Sequence, residues 1–397
     1  MGGFSALCCL RVSGVFGSVG KLEKAHDFEP GGGLIAGRAG GAQSVLRRST
    51  ANPISRGGKP RKRLDSDGCL GFYPPVSDLF ATAENSFKAK LRSTVERLAA
   101  SNILIGTSSW KYSGWLGTLY DQQHYCYRGK FAESRFDRDC LTEYAEVFKT
   151  VCVDAAYYQF PSAKYLSGLV EKVPADFRFS FKVTDDITLK RFTNLPRFGM
   201  KAGKPNENFL NAELFTNAFL RPCEPFRNNI GMLIFEFSRF YSADYEHGRN
   251  FIADLDGFFS KLPSGWDYGV EIRNKEWLQP DYFAVLRKYK VVHVFNNWSR
   301  MPTVGEQMAV GGSETSDATV AARFLLKPGR SYEDAVKDFS PYKAVKEVND
   351  EARASGRKLI ATAKQQGKRA FIYVNNRLEG NALETINAMV EANGSTS

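Results

Sequence analysis

Short apolar runs rich in β-favouring residues alternate along this chain with longer segments whose apolar positions recur at helical spacing. After a helix-like stretch over 77–100, the runs are "NILIGTS" (102–108), "TVCVDAA" (150–156), "RFSFKVT" (178–184), "GMLIFEF" (231–237), "YGVEIRN" (268–274), "VVHVFNN" (291–297), "ARFLLKP" (322–328) and "AFIYVNN" (370–376). Between them, "LTEYAEVF" (141–148), "AKYLSGLVEKV" (163–173), "NAELFTNAFL" (211–220), "NFIADLDGFFSKL" (250–262), "DYFAVLRKYK" (281–290), the stretch around 342–366 and "NALETINAMVEA" (381–392) read as helices. Strands joined through helices pair in parallel. Eight such units predict an α/β fold, a closed (β/α)8 TIM-like barrel, with a doubly wound open sheet as the alternative.

Two of the runs end abruptly in hydrogen-bonding groups, one at Asn296 and Asn297, the other at Asn375 and Asn376 followed by Arg377 and Glu379. In a (β/α)8 barrel the site is built at the carboxyl ends of the strands, which is where these groups fall. Side-chain alternation sharpens the picture. Phe179 and Phe181 share the face that meets the helices, so Ser180 and Lys182 point into the barrel. The same parity turns Asp154, Glu236, Glu271 with Arg273, Lys327, and Tyr373 with Asn375 inward, a balanced set of three acids and three bases.

Glu236 and Glu271 close successive strands, as the carboxylate pair of a glycoside hydrolase would. The bases Lys182, Arg273 and Lys327 beside them argue against that chemistry, because they keep both carboxylates ionised instead of raising one as an acid catalyst requires. A buried ion-pair network that merely closes the barrel is the plain alternative. Metal chemistry has little to draw on: His26, His124, His247 and His293 are not paired at ligand spacing, His293 reads as a core histidine, and neither a metal nor a cofactor is expected.

The cations and amides Lys182, Arg273, Lys327, Arg330, Asn297 and Asn375 suit a small anionic or polyhydroxylated ligand. "GRSYEDAVKDFSPY" (329–342) opens a helix near the seventh strand, where such barrels often hold phosphate, although it contains neither a P-loop nor a dinucleotide fingerprint. The first loop brings Trp110, Tyr112, Trp115 and Tyr120 to the same rim, to stack on a sugar or a base or simply to pack as a lid. The resulting expectation is an enzyme in which Lys182 or Glu271 moves a proton. Asp154, Glu236, Arg273, Asn297, Lys327, Asn375, Asn376, Trp110 and Tyr112 would contact the substrate. A Schiff base on Lys182 is opposed by the neighbouring acids.

Charge changes the picture at one end of the chain. The net +11 is concentrated in residues 1–63, which carry 11 Lys and Arg against three acids, leaving only +3 for the rest. This Gly-, Ser- and Arg-rich stretch is expected to form a disordered basic extension over 1–75, ahead of a helix over 76–101 and a barrel over 102–393. It also supports the rival function, a noncatalytic barrel that binds nucleic acid through its tail. An organelle transit peptide is disfavoured by Glu23, Asp27 and Glu29, and the opening "MGGFSA" lacks the hydroxyl residue of a myristoylation signal at position 6. Seven cysteines without a CxxC pair fit a reducing, cytoplasmic setting, and no apolar run is long enough to span a membrane.

Five motifs in order, "IGTSSWKYSGW" (105–115), "FRFSFKV" (177–183), "LIFEF" (233–237), "GVEIRNKEW" (269–277) and "YVNNRLEGNA" (373–382), resemble the YecE-like family, domain of unknown function 72. The resemblance runs from about 103 to 391. It implies a TIM-like barrel and carries over no settled activity. It also marks two departures: the family usually has Gln where Glu236 stands, and often lacks the insertion at 191–210.

Overall fold

The computed structural model describes residues 76–391. Eight parallel strands close into a barrel whose neighbours follow chain order. They are β1 (Ile103–Thr107), β4 (Thr150–Val153), β5 (Arg178–Lys182), β6 (Ile230–Phe237), β7 (Tyr268–Ile272), β8 (Val292–Asn297), β9 (Thr319–Phe324) and β10 (Arg369–Val374), with β10 pairing back onto β1. The loop after β1 carries a small hairpin of β2 (Cys126–Tyr127) and β3 (Lys130–Phe131), which the hydrophobic pattern does not reveal. The basic extension expected over 1–75 lies outside the described residues, as do residues 392 and 393 at the expected end of the barrel.

Helix α1 (Val76–Ala100) precedes β1 and buries Leu91, Val95 and Leu98, spaced at one face of a helix, against β1 and the last helix. Elsewhere the helices follow the expected order with shifted ends. The segment expected at 141–148 belongs to a helix over Glu133–Ala145. The long stretch around 342–366 is the helix Asp350–Gln365, preceded by Tyr332–Phe339 and a loop. Residues 211–220 form one α-turn, Ala212–Leu214, that widens into a π-helical segment over Phe215–Leu220. No described helix is long and apolar enough to cross a membrane.

The most consequential difference concerns β9, which occupies Thr319–Phe324 and not 322–328. Every residue of this strand is buried, and both of its faces carry an alanine near the middle, Ala321 inward and Ala322 outward, so no clear alternation marks its start. Leu325 and Leu326, buried under the following helix, extend the apolar run beyond the last strand residue.

Two packed layers result. Phe179, Phe181, Phe235, Val270 and Phe295 join the outer core between strands and helices. Cys152, Met232, Ile234, Val292, Val294, Ala321, Phe371 and Tyr373 fill the lumen. A polar belt crosses that lumen: the Tyr373 hydroxyl donates to Ser180 Oγ at 2.6 Å and lies 2.9 Å from Thr150 Oγ1, and Ser180 Oγ accepts from the Met232 amide at 3.0 Å. At Gly269 a Cβ would approach Met232 Sδ to 2.7 Å and Val294 Cγ2 to 2.8 Å, so only glycine leaves room for both side chains to plug the barrel here. The lumen is thus closed below, and whatever stands on the next inward layer faces the carboxyl-end mouth.

Candidate functional site

That next layer receives one polar side chain from each barrel strand. Lys182, Glu236, Glu271, Asn296 and Arg323 lie on β5, β6, β7, β8 and β9, at the inward positions that follow Ser180, Ile234, Gly269, Val294 and Ala321. Ser108, Asp154 and Asn375 stand one residue beyond β1, β4 and β10 with the parity of Leu104, Cys152 and Tyr373. Arg273, one residue beyond β7, adds a second cation above Glu271.

Charges dominate this ring, and they interlock. Glu236 receives three cations: its Oε2 lies 2.8 Å from Lys182 Nζ, 2.8 Å from Arg323 Nη1 and 3.3 Å from Arg273 Nη2. The same Arg323 Nη1 donates to Glu271 Oε2 at 2.7 Å, while Arg273 Nη2 stands 2.6 Å from Glu271 Oε1. Asp154 Oδ1 completes the set, 3.5 Å from Arg323 Nη2 and 4.0 Å from Lys182 Nζ. Three acids therefore face three bases. Arg323 fills the place expected of Lys327.

Aromatic faces back the two outer cations. Lys182 Nζ lies 4.2 Å from the centre of the Tyr157 ring and the Arg273 guanidinium 4.0 Å from that of Trp298, contacts that offset part of the cost of taking a cation out of water. Burial alone would raise the Glu236 carboxyl, but Lys182, Arg273 and Arg323 outweigh it and hold the group well below the usual carboxylate range. Glu236 is an anion at any physiological pH. Burial opposes the charge on Arg323 as well, and the carboxylates of Glu271, Glu236 and Asp154 overcome it, so this guanidinium stays firmly protonated.

Not every polar atom here is paired. Arg273 keeps Nε and Nη1 buried without a hydrogen-bond partner, as do Arg323 Nε, Ser108 Oγ and Asn296 Oδ1. Buried orphans of this kind are uncommon in folded proteins and mark positions where a ligand or water completes the set. Beside Arg273 opens a cavity of about 280 Å³ lined by Arg239, Arg273, Lys275, Arg300 and Glu276.

The other residues singled out in the sequence serve the surrounding walls. Lys327, in the loop beyond β9, is half exposed and pairs with Glu347 at 2.5 Å, and Arg330 reaches the same carboxylate. Lys327 is therefore a correction to the inward set, and its cause is the early end of β9. Asn297 Oδ1 accepts the Val304 amide at 2.8 Å and Asn376 Oδ1 the Ala382 amide at 2.7 Å, so both fasten the helix that follows their strand. Asn375 Oδ1 accepts the Arg377 amide at 2.9 Å within its own turn. Trp110 and Tyr112 are buried; Tyr112 packs against Trp115 and Tyr342 with ring centres 4.7 and 5.6 Å apart, and Tyr120 hydrogen-bonds the Trp110 carbonyl. The first loop thus packs as a lid.

The sequence pattern marked Asn296 as a strand-end polar group but did not turn it inward, and it did not single out Arg323, Ser108, Tyr157 or Trp298. Alternation was the available signal for Asn296, Arg323 and Ser108, since each lies two residues from another inward position. Tyr157 lies in a single helical turn, Ala155–Tyr158, and Trp298 in the loop after β8, both too short for a periodicity to mark them.

A barrel with a polar, ion-paired layer at its carboxyl-end mouth is the class of protein that this geometry defines. Within it the chain belongs to the family described as "Protein of unknown function DUF72", whose model matches residues 104–397. A solved DUF72 family protein of Enterococcus faecalis V583 is 18% identical, the match covering 74% of this chain and 96% of that one at a TM-score of 0.50, a likeness of fold. A DUF72 family protein of Thermotoga maritima MSB8 is also 18% identical over 74% of this chain and 99% of its own, at a TM-score of 0.49. No curated protein matches the chain.

Proposed function

We propose that the barrel mouth is the site of an enzyme that acts on a small anionic substrate seated against Arg273. The observation that carries this reading is the pair of buried, unpartnered donors on Arg273, Nε and Nη1, beside a cavity in which four cations accompany one acid. With Nη2 committed to Glu271, the Nε and Nη1 donors lie on different sides of the guanidinium, and each has a bond left to give to an oxygen of a phosphate or carboxylate. Glu271 is fully buried between Arg273 and Arg323, so its part is to aim them. Lys182 is the residue for proton transfer, since its ammonium brings protons to the layer in which the substrate rests, with Glu236 holding it in place. The glycoside hydrolase reading loses ground, because Glu236 is held ionised and cannot serve as its acid.

Arg273→Lys tests the reading. The variant keeps the positive charge and loses the fixed Nε and Nη1 donors. Phosphate and small carboxylates should raise the thermal midpoint of the native protein, by an amount that grows with ligand concentration, and raise that of Arg273→Lys much less. A native protein indifferent to every such anion would refute the proposal, as would an equal response from the variant.

A further inference from the structure

We propose that residues 191–210 form a lid on the Lys182 side of the barrel mouth, fixed at its base and held shut at its tip by Arg197 on Asp185. The inference deepens the reading of Lys182 as the proton-transfer residue and rests on it.

The segment has a firm base and a lightly held tip. At the base, the buried Asn206 donates through Nδ2 to the carbonyls of Asp186 at 2.8 Å and Leu189 at 2.7 Å, and its amide donates to the Lys190 carbonyl at 2.9 Å. Phe192 closes the neck: its amide donates to the Lys204 carbonyl at 3.0 Å and its carbonyl accepts the Gly203 amide at 2.9 Å. The tip, Pro196–Lys201, is a short piece of 3-10 helix that buries none of its residues, and Met200 within it is 90% exposed. A segment with so little buried surface belongs to the part of a fold that opens locally at low cost. Arg197 supplies its hold on the barrel. The guanidinium packs on Phe198 of the tip with its centre 4.0 Å from that ring, lies 5.2 Å from the Tyr158 ring, and places Nη1 2.6 Å from Oδ2 of the buried Asp185.

The place of this latch makes the segment a lid. Asp185 opens the helical turn after β5, three residues beyond Lys182, and Tyr157 and Tyr158 belong to the turn after β4, Ala155–Tyr158. The Tyr157 ring that backs the Lys182 ammonium at 4.2 Å also has the Arg197 guanidinium 5.9 Å from its centre. On this side the charged layer is most open: the Asp154 side chain is 24% exposed, against 11% or less for Lys182, Glu236, Glu271, Arg273 and Arg323. A molecule bound for Lys182 therefore comes in past Asp154, along the edge on which Arg197 rests. With the tip down, water is kept from the ion pairs of Lys182, which strengthens them. With Arg197 released, that approach widens.

Two probes applied to the full chain test the lid. Trypsin cleavage after Lys201 reads how often the tip leaves the barrel, because the protease needs that stretch unfolded. Methylation with formaldehyde and a borane reductant, followed at Lys182 by peptide mass spectrometry, reads how open the approach to the ammonium is. Asp185→Asn and Arg197→Ala each remove the latch, and each should speed both reactions by about tenfold, the usual worth of a bond to a charged group. Methylation of Lys88, on α1, should stay the same and reports an intact barrel. Arg197→Ala lies in a tip that buries nothing, so it decides the matter if Asp185→Asn speeds Lys88 as well. Faster cleavage with Lys182 unchanged would overturn the lid, leaving a latch that covers nothing. No change in either reaction would overturn the latch itself. Phosphate binding is read separately, so its absence beside faster cleavage and faster Lys182 methylation would refute the anion-site reading and leave the lid standing.

Discussion

Glu236 holds three cations in place with one carboxylate oxygen, so the response of the mouth to its removal should be the largest of any single residue there. Glu236→Gln keeps the shape and removes the charge, leaving Lys182, Arg273 and Arg323 facing two acids instead of three. Breaking one partner out of a buried ionic set costs about 3–5 kcal/mol, and because the amide can still accept from one cation, a loss near the lower end, about 3 kcal/mol, is expected in urea unfolding. Affinity should move the other way. One positive charge is released beside the cavity, so inorganic phosphate should bind several-fold more tightly to Glu236→Gln than to the native protein. A variant that is destabilised and also binds phosphate more weakly would mean that Glu236 aligns Arg273 for the ligand, contrary to this account. Residue parity made much of this ring legible in advance: Lys182, Asp154, Glu236, Glu271 and Arg273 do meet. It failed at Arg323, which shares the parity of Lys327, because the strand was expected to run on to 328 and its carboxyl end was therefore set at Lys327, whereas β9 ends at Phe324.

At the scale of elements, the row of groups after β10 works as a fastening. Glu379, fully buried, takes a two-pronged grip from Arg353, with Nε at 2.9 Å and Nη2 at 2.8 Å, accepts the Thr385 hydroxyl at 2.6 Å and the Asn349 amide at 2.6 Å, and its carbonyl receives Lys346. One side chain thereby ties the helix Asp350–Gln365, the loop before it and the last helix, Ala382–Glu391, to the end of β10. Glu379→Gln leaves Arg353 with half of its partner and should cost about 3 kcal/mol in urea unfolding. Affinity for phosphate should not change, because the tie lies after β10 whereas the cavity is built on the loops after β6, β7 and β8. A loss of phosphate binding in this variant would show that the two regions are coupled. Strand order and closure were readable from the period of the apolar runs. The fastening was not: its partners Arg353, Thr385 and Asn349 are 26, 6 and 30 residues from Glu379, and no local pattern records such pairings.

For the whole molecule, the acid limb of stability is set by groups that the fold keeps away from protons, and His293 acts first. Its ring packs edge-on against Tyr282, Phe283 and Phe295, with Nδ1 3.2 Å from the Tyr282 hydroxyl, and burial pulls its pKa from 6.5 down to about 3. The folded protein therefore leaves His293 neutral where the unfolded chain protonates it. With a depressed folded value, its contribution is fully present above about pH 6.5 and falls away as the pH drops toward the folded value. Glu236 has the same sign, but its contribution begins to fade only below about pH 4.3, the ordinary carboxylate value. Asp185 and Asp267 have the opposite sign: burial raises both despite Arg197 and Arg369, so they favour the fold most when protonated and less as the pH rises. Uptake of one proton by the unfolded chain corresponds to a loss of about 2 kcal/mol between pH 7 and pH 5. His293→Gln removes that titration while keeping a side chain of comparable polarity. The difference in unfolding free energy between native protein and variant should therefore shrink by about 2 kcal/mol from pH 7 to pH 5. A difference that stays constant across this range would show that His293 takes up its proton equally in the folded and unfolded states, and would remove burial as a cause of neutrality.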